Sequence, residues 1–304
     1  MEDSIGFIGL GLMGAAMAKN ILASGRSVVV HDLSPQAVTT LVESHGALAA
    51  ASPKEVADRC RIVIACLPSP QASLAVAQGE NGVIHGSAIR YYIEASTIGI
   101  QTCRTIAQAM ETRNIHLIDA PISGGPKGAA AGTLSSMVAC PPFVWNTVSQ
   151  VVASYCGKTF FVGETAGLAQ ACKLVNNAMS LTALALACET TVLGVAAGLD
   201  AHTMIDVINA SSGRSTVTTD KFPASVLPRT FDYGASINTA AKDLELFLTE
   251  AKALGMRTDG TRAVAKLWQE AVADGQGEMD FTSLIQRFEQ PLGIEVGSKN
   301  PLET

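Results

Sequence analysis

Short apolar runs and stretches of helical spacing alternate along the first half of the chain. Ile5, Phe7 and Ile8 form a strand that leads into Gly9-Leu10-Gly11-Leu12-Met13-Gly14, and Ala15, Ala16, Met17, Ala18, Ile21 and Leu22 follow with helical period. Val28-Val29-Val30-His31 is a second strand, ending at Asp32, and Ile62-Val63-Ile64-Ala65-Cys66-Leu67 is a buried one stopped by Pro68. Tyr91 to Glu94, Ile115 to Asp119, Leu134 to Val138 and Thr159 to Val162 complete the set. A helix starts near Ser34-Pro35 and carries Val38, Leu41 and Val42 inward; another starts at Ser52-Pro53, with Glu55 three residues after the serine. This alternation predicts an α/β fold with a Rossmann-type, doubly wound sheet.

Gly163 marks a change of regime, after which only helical periodicity remains. From about Leu168 to Ala197 there is no proline, Gly194 is the one strong breaker, and Gly198 is placed as the stop. At 1.5 Å per residue such a helix reaches roughly 45 Å. It is apolar on most faces, which predicts packing partners around it. Ile237, Ala240, Ala241, Leu244, Phe247, Leu248, Ala251 and Leu254 trace a further stripe that leaves Lys242 and Asp243 off it, and Asp280 caps a last helix through Leu284, Ile285 and Phe288 to Pro291. The expected division is a dinucleotide-binding domain over 1–164, an all-α domain begun by the long interdomain helix over 165–292, and a loose tail over 293–304.

A length of 304 residues suits two domains with separate cores. With 48% hydrophobic and 16% charged residues, the chain fits a buried parallel sheet or surface hidden in an oligomer. The net charge of −6 and the lack of any basic run give no support for nucleic-acid binding. The 7 cysteines are scattered with no Cys-x-x-Cys pair, which predicts buried thiols in a reducing compartment, and the dispersed histidines predict no metal. Met1 is followed almost at once by the first strand, leaving no room for a targeting peptide, so cytoplasm is expected. The apolar segment 178–188, bounded by Asn177 and Glu189, is 11 residues long and too short for a bilayer.

The candidate chemistry begins in the glycine turn. Gly9 allows a tight turn, Gly11 lets the backbone approach a pyrophosphate and Gly14 lets the helix sit close on the sheet, while the helix N-terminus offers N–H groups to phosphates. Asp32, 18 positions beyond Gly14, can take both ribose hydroxyls of an adenosine. Its carboxylate opposes a 2′-phosphate, and Leu33-Ser34-Pro35-Gln36 carries no arginine or lysine, so NAD is expected over NADP. Leu67 and Pro68 should border the cofactor, although strand termination explains them equally well. Ser96 and Thr97 lie at the same rim or serve as helix caps. Ser123-Gly124-Gly125, with a hydroxyl and several N–H groups, is a cradle for a carboxylate. Lys173 and Asn177 stand one turn apart on one face of the long helix, the lysine being either used or a snorkelling surface group. Arg214 and Arg229 could serve a second anionic group or lie on the surface.

Four separated segments together resemble the β-hydroxyacid dehydrogenases typified by 3-hydroxyisobutyrate dehydrogenase: Gly9 to Gly14, Asp119 to Gly125 with Gly132-Thr133-Leu134, Lys173-Leu-Val-Asn-Asn177, and Lys242-Asp243-Leu244. The resemblance implies a 6-phosphogluconate dehydrogenase-like arrangement with a substrate cleft between the domains, and homodimers or homotetramers formed through the helical domain. It implies Lys173 as the catalytic residue, positioning of a small carboxylate-bearing substrate by Asn177, Ser123, Gly124 and Gly125, and contacts of Gly9, Leu10, Gly11, Leu12, Met13, Gly14, Asp32, Leu67, Pro68, Thr97 and Lys242 with cofactor or the reacting end of the cleft. Lys173 would take the alcohol proton during oxidation and return it during reduction, its neutral form favoured in a water-poor setting. The chain departs from the family pattern at Ala169 and in Met137-Val138-Ala139-Cys140, where glycines are usual. An imine reductase on the same fold, whose relatives usually lack the lysine, and a non-catalytic dinucleotide-binding module are the competing expectations. Among substrates the family implies 3-hydroxyisobutyrate, tartronate or succinate semialdehydes, threonate and larger β-hydroxy acids.

Overall fold

The computed structural model describes residues 4–297 and divides the chain after Leu174 into two compact units. The first is built on nine strands: β1 Ile5–Ile8, β2 Val28–His31, β3 Leu48–Ala49, β4 Ile62–Ala65, β5 Tyr91–Glu94, β6 His116–Asp119, β7 Ile122–Ser123, β8 Leu134–Ala139 and β9 Cys156–Gly163. Their order is 3-2-1-4-5-6-8-7, with β9 paired to β8. Strands β1 to β6 run parallel, β8 runs antiparallel to β6 and β7, and β9 runs parallel to β8. Helices α1 Leu12–Ala23, α2 Pro35–His45, α3 Pro53–Arg59, α4 Pro70–Gln78, α5 Ile100–Glu111, α6 Gly125–Ala131 and α7 Pro142–Val152 connect them. Two cores lie against the sheet, one around Phe7, Met17, Ile21 and Val30 and one around Ile8, Val63, Tyr92 and Ile106, as residues alternating along a doubly covered sheet require. The serine caps form as the sequence predicts: Ser34 accepts from Ala37 N–H and Ser52 from Glu55 N–H. The returning Glu55 carboxylate reaches Ala51 N–H at 2.7 Å, one residue before the cap.

The second unit is helical, with α8 Leu168–Ala196 crossing into it, then α9 Ala201–Asn209, α10 Ile237–Ala253, α11 Asp259–Ala271 and α12 Gln286–Glu289. Its core gathers Leu184, Cys188, Phe222, Leu244 and Trp268. By length and hydropathy α8 could cross a membrane, but it buries Ala178, Leu181, Leu184, Ala185, Cys188 and Val192 in this core. Three sequence expectations change. The unit boundary falls ten residues later than 164, because the start of α8 is bonded to the sheet unit. The last helix breaks into a 3-10 turn Phe281–Ile285, α12 and a second 3-10 turn Gln290–Leu292, with Pro291 removing an amide donor. The expected loose tail is held as far as it is described: Val296 is fully buried, its N–H donates to Glu289 at 2.6 Å, and Arg229 donates to its carbonyl at 3.0 Å. The rest of that tail, 298–304, lies outside the described residues.

Candidate active site at the sheet rim

The glycine turn joins the carboxyl end of β1 to α1 at the strand-order switch, where β1 lies between β2 and β4. Gly9 has φ +93°, and a Cβ there would overlap the Cys66 carbonyl oxygen at the end of β4. A Cβ on Gly14 would overlap the Gly9 carbonyl oxygen, so α1 packs directly on the turn. Gly11 differs, since a Cβ there meets nothing within 4 Å. As the N-cap of α1 it offers no capping side chain, and the first turn contains no acid. A groove of about 400 Å³ lies at this turn, lined by Leu10, Gly11, Leu12, Ala15, Lys19 and Ala130. Asp32 follows β2; its Oδ2 accepts from Leu10 N–H at 2.6 Å and its Oδ1 from Ser34 N–H at 2.7 Å. A half-exposed carboxylate held by two backbone donors, beside an uncapped helix start with an open glycine, fits the ribose and diphosphate of a dinucleotide.

The neighbouring strand ends continue this rim. Leu67 is half-buried and Pro68 exposed after β4, and the Leu67 N–H donates to Ser96 Oγ at 2.7 Å. The Ser96 hydroxyl is therefore turned inward as a brace, while Thr97 is half-exposed. Ser123 sits on β7, a separate antiparallel strand paired through Ser135, and β6 already ends at Asp119. The strand predicted to close at Asp119 does so, and the serine follows on a short strand of its own. Gly124, with φ +131°, and Gly125, with φ +64°, form the turn into α6.

Asp119, named in the sequence only as a strand end and the start of a matching segment, and Gln170, not named there, form a buried polar cluster. Asp119 Oδ2 accepts from Gly167 N–H at 2.8 Å, Ala169 N–H at 3.1 Å and Gln170 N–H at 3.3 Å. Its Oδ1 accepts from Gln170 Nε2 at 3.1 Å. Gln170 Nε2 also donates to the Ser96 carbonyl, and its Oε1 accepts from Ile98 and Gly99 N–H. Burial pushes the Asp119 carboxyl up from its ordinary range against these hydrogen bonds. Ala169 is fully buried against Met137, Ala139 and Val162, so the two departures from the family's glycines pack in one cluster. Lys173, three residues after Gln170, is buried, with 7% of its surface exposed.

In the helical unit Asn177 Nδ2 donates to Asp243 Oδ2 at 2.6 Å, and Lys242 Nζ lies 3.0 Å from Asp243 Oδ1. Asp243 is buried and links two residues the sequence had named without linking them. Arg229, left by the sequence between an anion contact and a surface position, takes neither: its guanidinium donates to both Glu289 oxygens, at 2.8 and 3.1 Å. Arg214 is exposed.

A sheet of this order with its glycine turn, acid and rim defines a dinucleotide-binding oxidoreductase fold followed by a helical unit. The chain belongs to the β-hydroxyacid dehydrogenase family typified by 3-hydroxyisobutyrate dehydrogenase. Residues 4–163 match the model described as the NAD-binding domain of 6-phosphogluconate dehydrogenase, and residues 167–288 match that described as the NAD-binding domain of NADP-dependent 3-hydroxyisobutyrate dehydrogenase. The chain is 34% identical to 2-(hydroxymethyl)glutarate dehydrogenase of Eubacterium barkeri, over 97% of this chain and 99% of that one. It is 32% identical to the NAD-dependent L-serine dehydrogenase of Pseudomonas aeruginosa, over 94% and 98%. The solved 3-hydroxyisobutyrate dehydrogenase of Mycobacterium tuberculosis with L-serine is 29% identical, with a TM-score of 0.85 over 94% and 99%. An imine reductase from Pseudomonas sp., 20% identical with a TM-score of 0.61 over 94% and 99%, shares the fold.

Proposed function

We propose that the protein interconverts a small β-hydroxy acid and its semialdehyde or keto acid, using NAD in preference to NADP, with Lys173 as general acid and base. One observation carries this reading: a buried lysine stands on the helix whose first turn is bonded to the sheet rim that also bears the glycine turn. A bound nicotinamide would supply hydride transfer. Oxidation of a carbinol leaves a hydroxyl proton to remove, and the neutral Lys173 amine accepts it; in reduction the ammonium form returns it to the carbonyl oxygen. Asp243 fixes the amide of Asn177 with its nitrogen as donor, which suits Asn177 to orient the same substrate oxygen. Ser123 with the N–H groups of Gly124 and Gly125 would hold the substrate carboxylate. The carboxylate of Asp32, which opposes a 2′-phosphate, supports the preference for NAD. Val175, Met179, Leu186 and Leu193, exposed along α8, support a homodimer or homotetramer through the helical unit.

The test is a panel of L-serine, 3-hydroxyisobutyrate, 2-(hydroxymethyl)glutarate and L-threonate with NAD or NADP, followed by absorbance of the reduced coenzyme. Turnover of at least one with NAD, faster than with NADP, is expected. Equal rates with both coenzymes would remove the NAD preference. Turnover of imines alone, with none of the hydroxy acids, would replace the alcohol reading.

A further inference from the structure

The structure assigns Asp119 and Gln170 as positioning residues for Lys173, a step that rests on the proton-relay reading of that lysine. A helix begins with N–H groups that its own turns cannot satisfy. At α8 the Asp119 carboxylate, fully buried at the end of β6, takes three consecutive-turn donors, from Gly167, Ala169 and Gln170. The Gln170 side chain then makes four hydrogen bonds, to Asp119 Oδ1, Ser96 O, Ile98 N–H and Gly99 N–H. Both the depth at which α8 starts and its rotation about its axis are therefore fixed against two strand ends, β5 and β6. Residues three apart share a helix face, so the rotation that places Gln170 also places Lys173. Slipping the helix by one residue would turn that face by about 100°.

The donor and acceptor pattern is directional, which makes a same-shape test possible. Asp119→Asn keeps an acceptor for the helix N–H groups but sets an amide NH₂ against Gln170 Nε2, donor against donor. Gln170→Glu sets a further buried carboxylate directly against Asp119 Oδ1. In the double variant the asparagine donates to the glutamate, leaving only the Ser96 carbonyl without its donor.

The experiment measures kcat, KM, coenzyme Kd and the pH profile of kcat for both single variants, the double variant and Lys173→Ala. Each single variant is expected to lower kcat by about tenfold or more, as a misplaced proton-transfer group does, with Kd for NAD within about twofold. The pH limb that Lys173→Ala abolishes should move by about half a unit or more in each single variant and move back in the double, with partial return of kcat. Folded single variants with normal kcat and an unmoved limb would overturn the assignment while leaving Lys173 in place. Full turnover by Lys173→Ala would overturn the underlying reading instead. If Asp119→Asn does not fold, Gln170→Met decides: it leaves the three Asp119 backbone bonds intact, and the same fall in kcat with a moved limb is expected of it, an unchanged kcat and limb overturning the proposal.

Discussion

Two helices start at the rim of the same sheet, and they meet the same electrostatic problem in opposite ways. At α1 the cap residue is Gly11, which has no side chain to cap the helix, and the first turn has no acid. At α8 a buried carboxylate from β6 answers three of them and a glutamine side chain locks the arrangement. A helix N-terminus with its partial positive charge is a binding site for an anion only when the protein withholds its own anion. At α1 the protein withholds it and the turn suits a diphosphate. At α8 it supplies Asp119, and the helix start becomes a fixed support for the residues that follow.

The largest effect that sharpens this contrast comes from Gly14. A Cβ there overlaps the Gly9 carbonyl oxygen, so Gly14→Ala must part α1 from the turn on which it packs. A loss of several kcal/mol is expected, read as a markedly lower denaturation midpoint and absent NAD binding. A variant as stable as the parent, with NAD binding retained, would show that the close packing is not needed.

Lys173→Ala tests the other helix. Turnover should fall by about two or more orders of magnitude, the usual worth of a general acid or base, while NAD affinity stays nearly intact. Loss of NAD binding with the turnover would instead make the lysine a structural element.

How far each helix start was legible in the sequence follows from what builds it. The α1 site is local: six consecutive residues, a strand before and a strand ending in Asp32 after, so pattern and spacing reveal it. The α8 support joins positions 119 and 170, and nothing in local spacing tells that a carboxylate at a strand end will receive a helix 48 residues later. An acid closing an apolar strand was the available signal, since a buried charge must find donors. The pairing of Asp243, a residue the sequence did name, was hidden likewise, because its partner Asn177 is 66 positions away. Arg229, which the sequence left open between an anion contact and a surface position, could not be decided for the same reason: its partner Glu289 is 60 positions away.

A second buried carboxylate shows what Asp119 gains from its helix. Glu94 is directly opposite Asp119 in the β5–β6 register and fully buried. It accepts from Ser96 N–H at 3.0 Å and Tyr92 hydroxyl at 3.5 Å, and burial pushes its carboxyl up to about 7. A carboxyl whose folded pKa is raised binds its proton more tightly in the folded state, so stability falls as pH rises from about 4.5 to about 7 and is level above. Glu94→Gln keeps the acceptor for Ser96 and removes the charge. It is expected to be more stable than the parent at pH 8 by on the order of 2 kcal/mol, and to converge with it below pH 5. Urea unfolding at the two pH values checks this; equal stability at pH 8 would mean that the charged form is not penalised.

The smallest effect, and the cleanest separation of fold from binding, lies at Gly11. Its φ of −64° and ψ of −173° are open to any residue, and an added Cβ meets nothing within 4 Å. Gly11→Ala should therefore leave the folded state unstrained and narrow the unfolded one, a gain that the poorer N-cap preference of alanine offsets, giving a stability within about 1 kcal/mol of the parent. The same methyl group would stand where a diphosphate has to approach the first turn of α1, so NAD affinity should fall by about tenfold, or 1.4 kcal/mol. Stability and binding are thus separated at Gly11 and lost together at Gly14, three residues away. Unchanged NAD affinity in a stable Gly11→Ala protein would mean that the phosphates are held elsewhere, and the contrast between the two helix starts would lose its functional meaning.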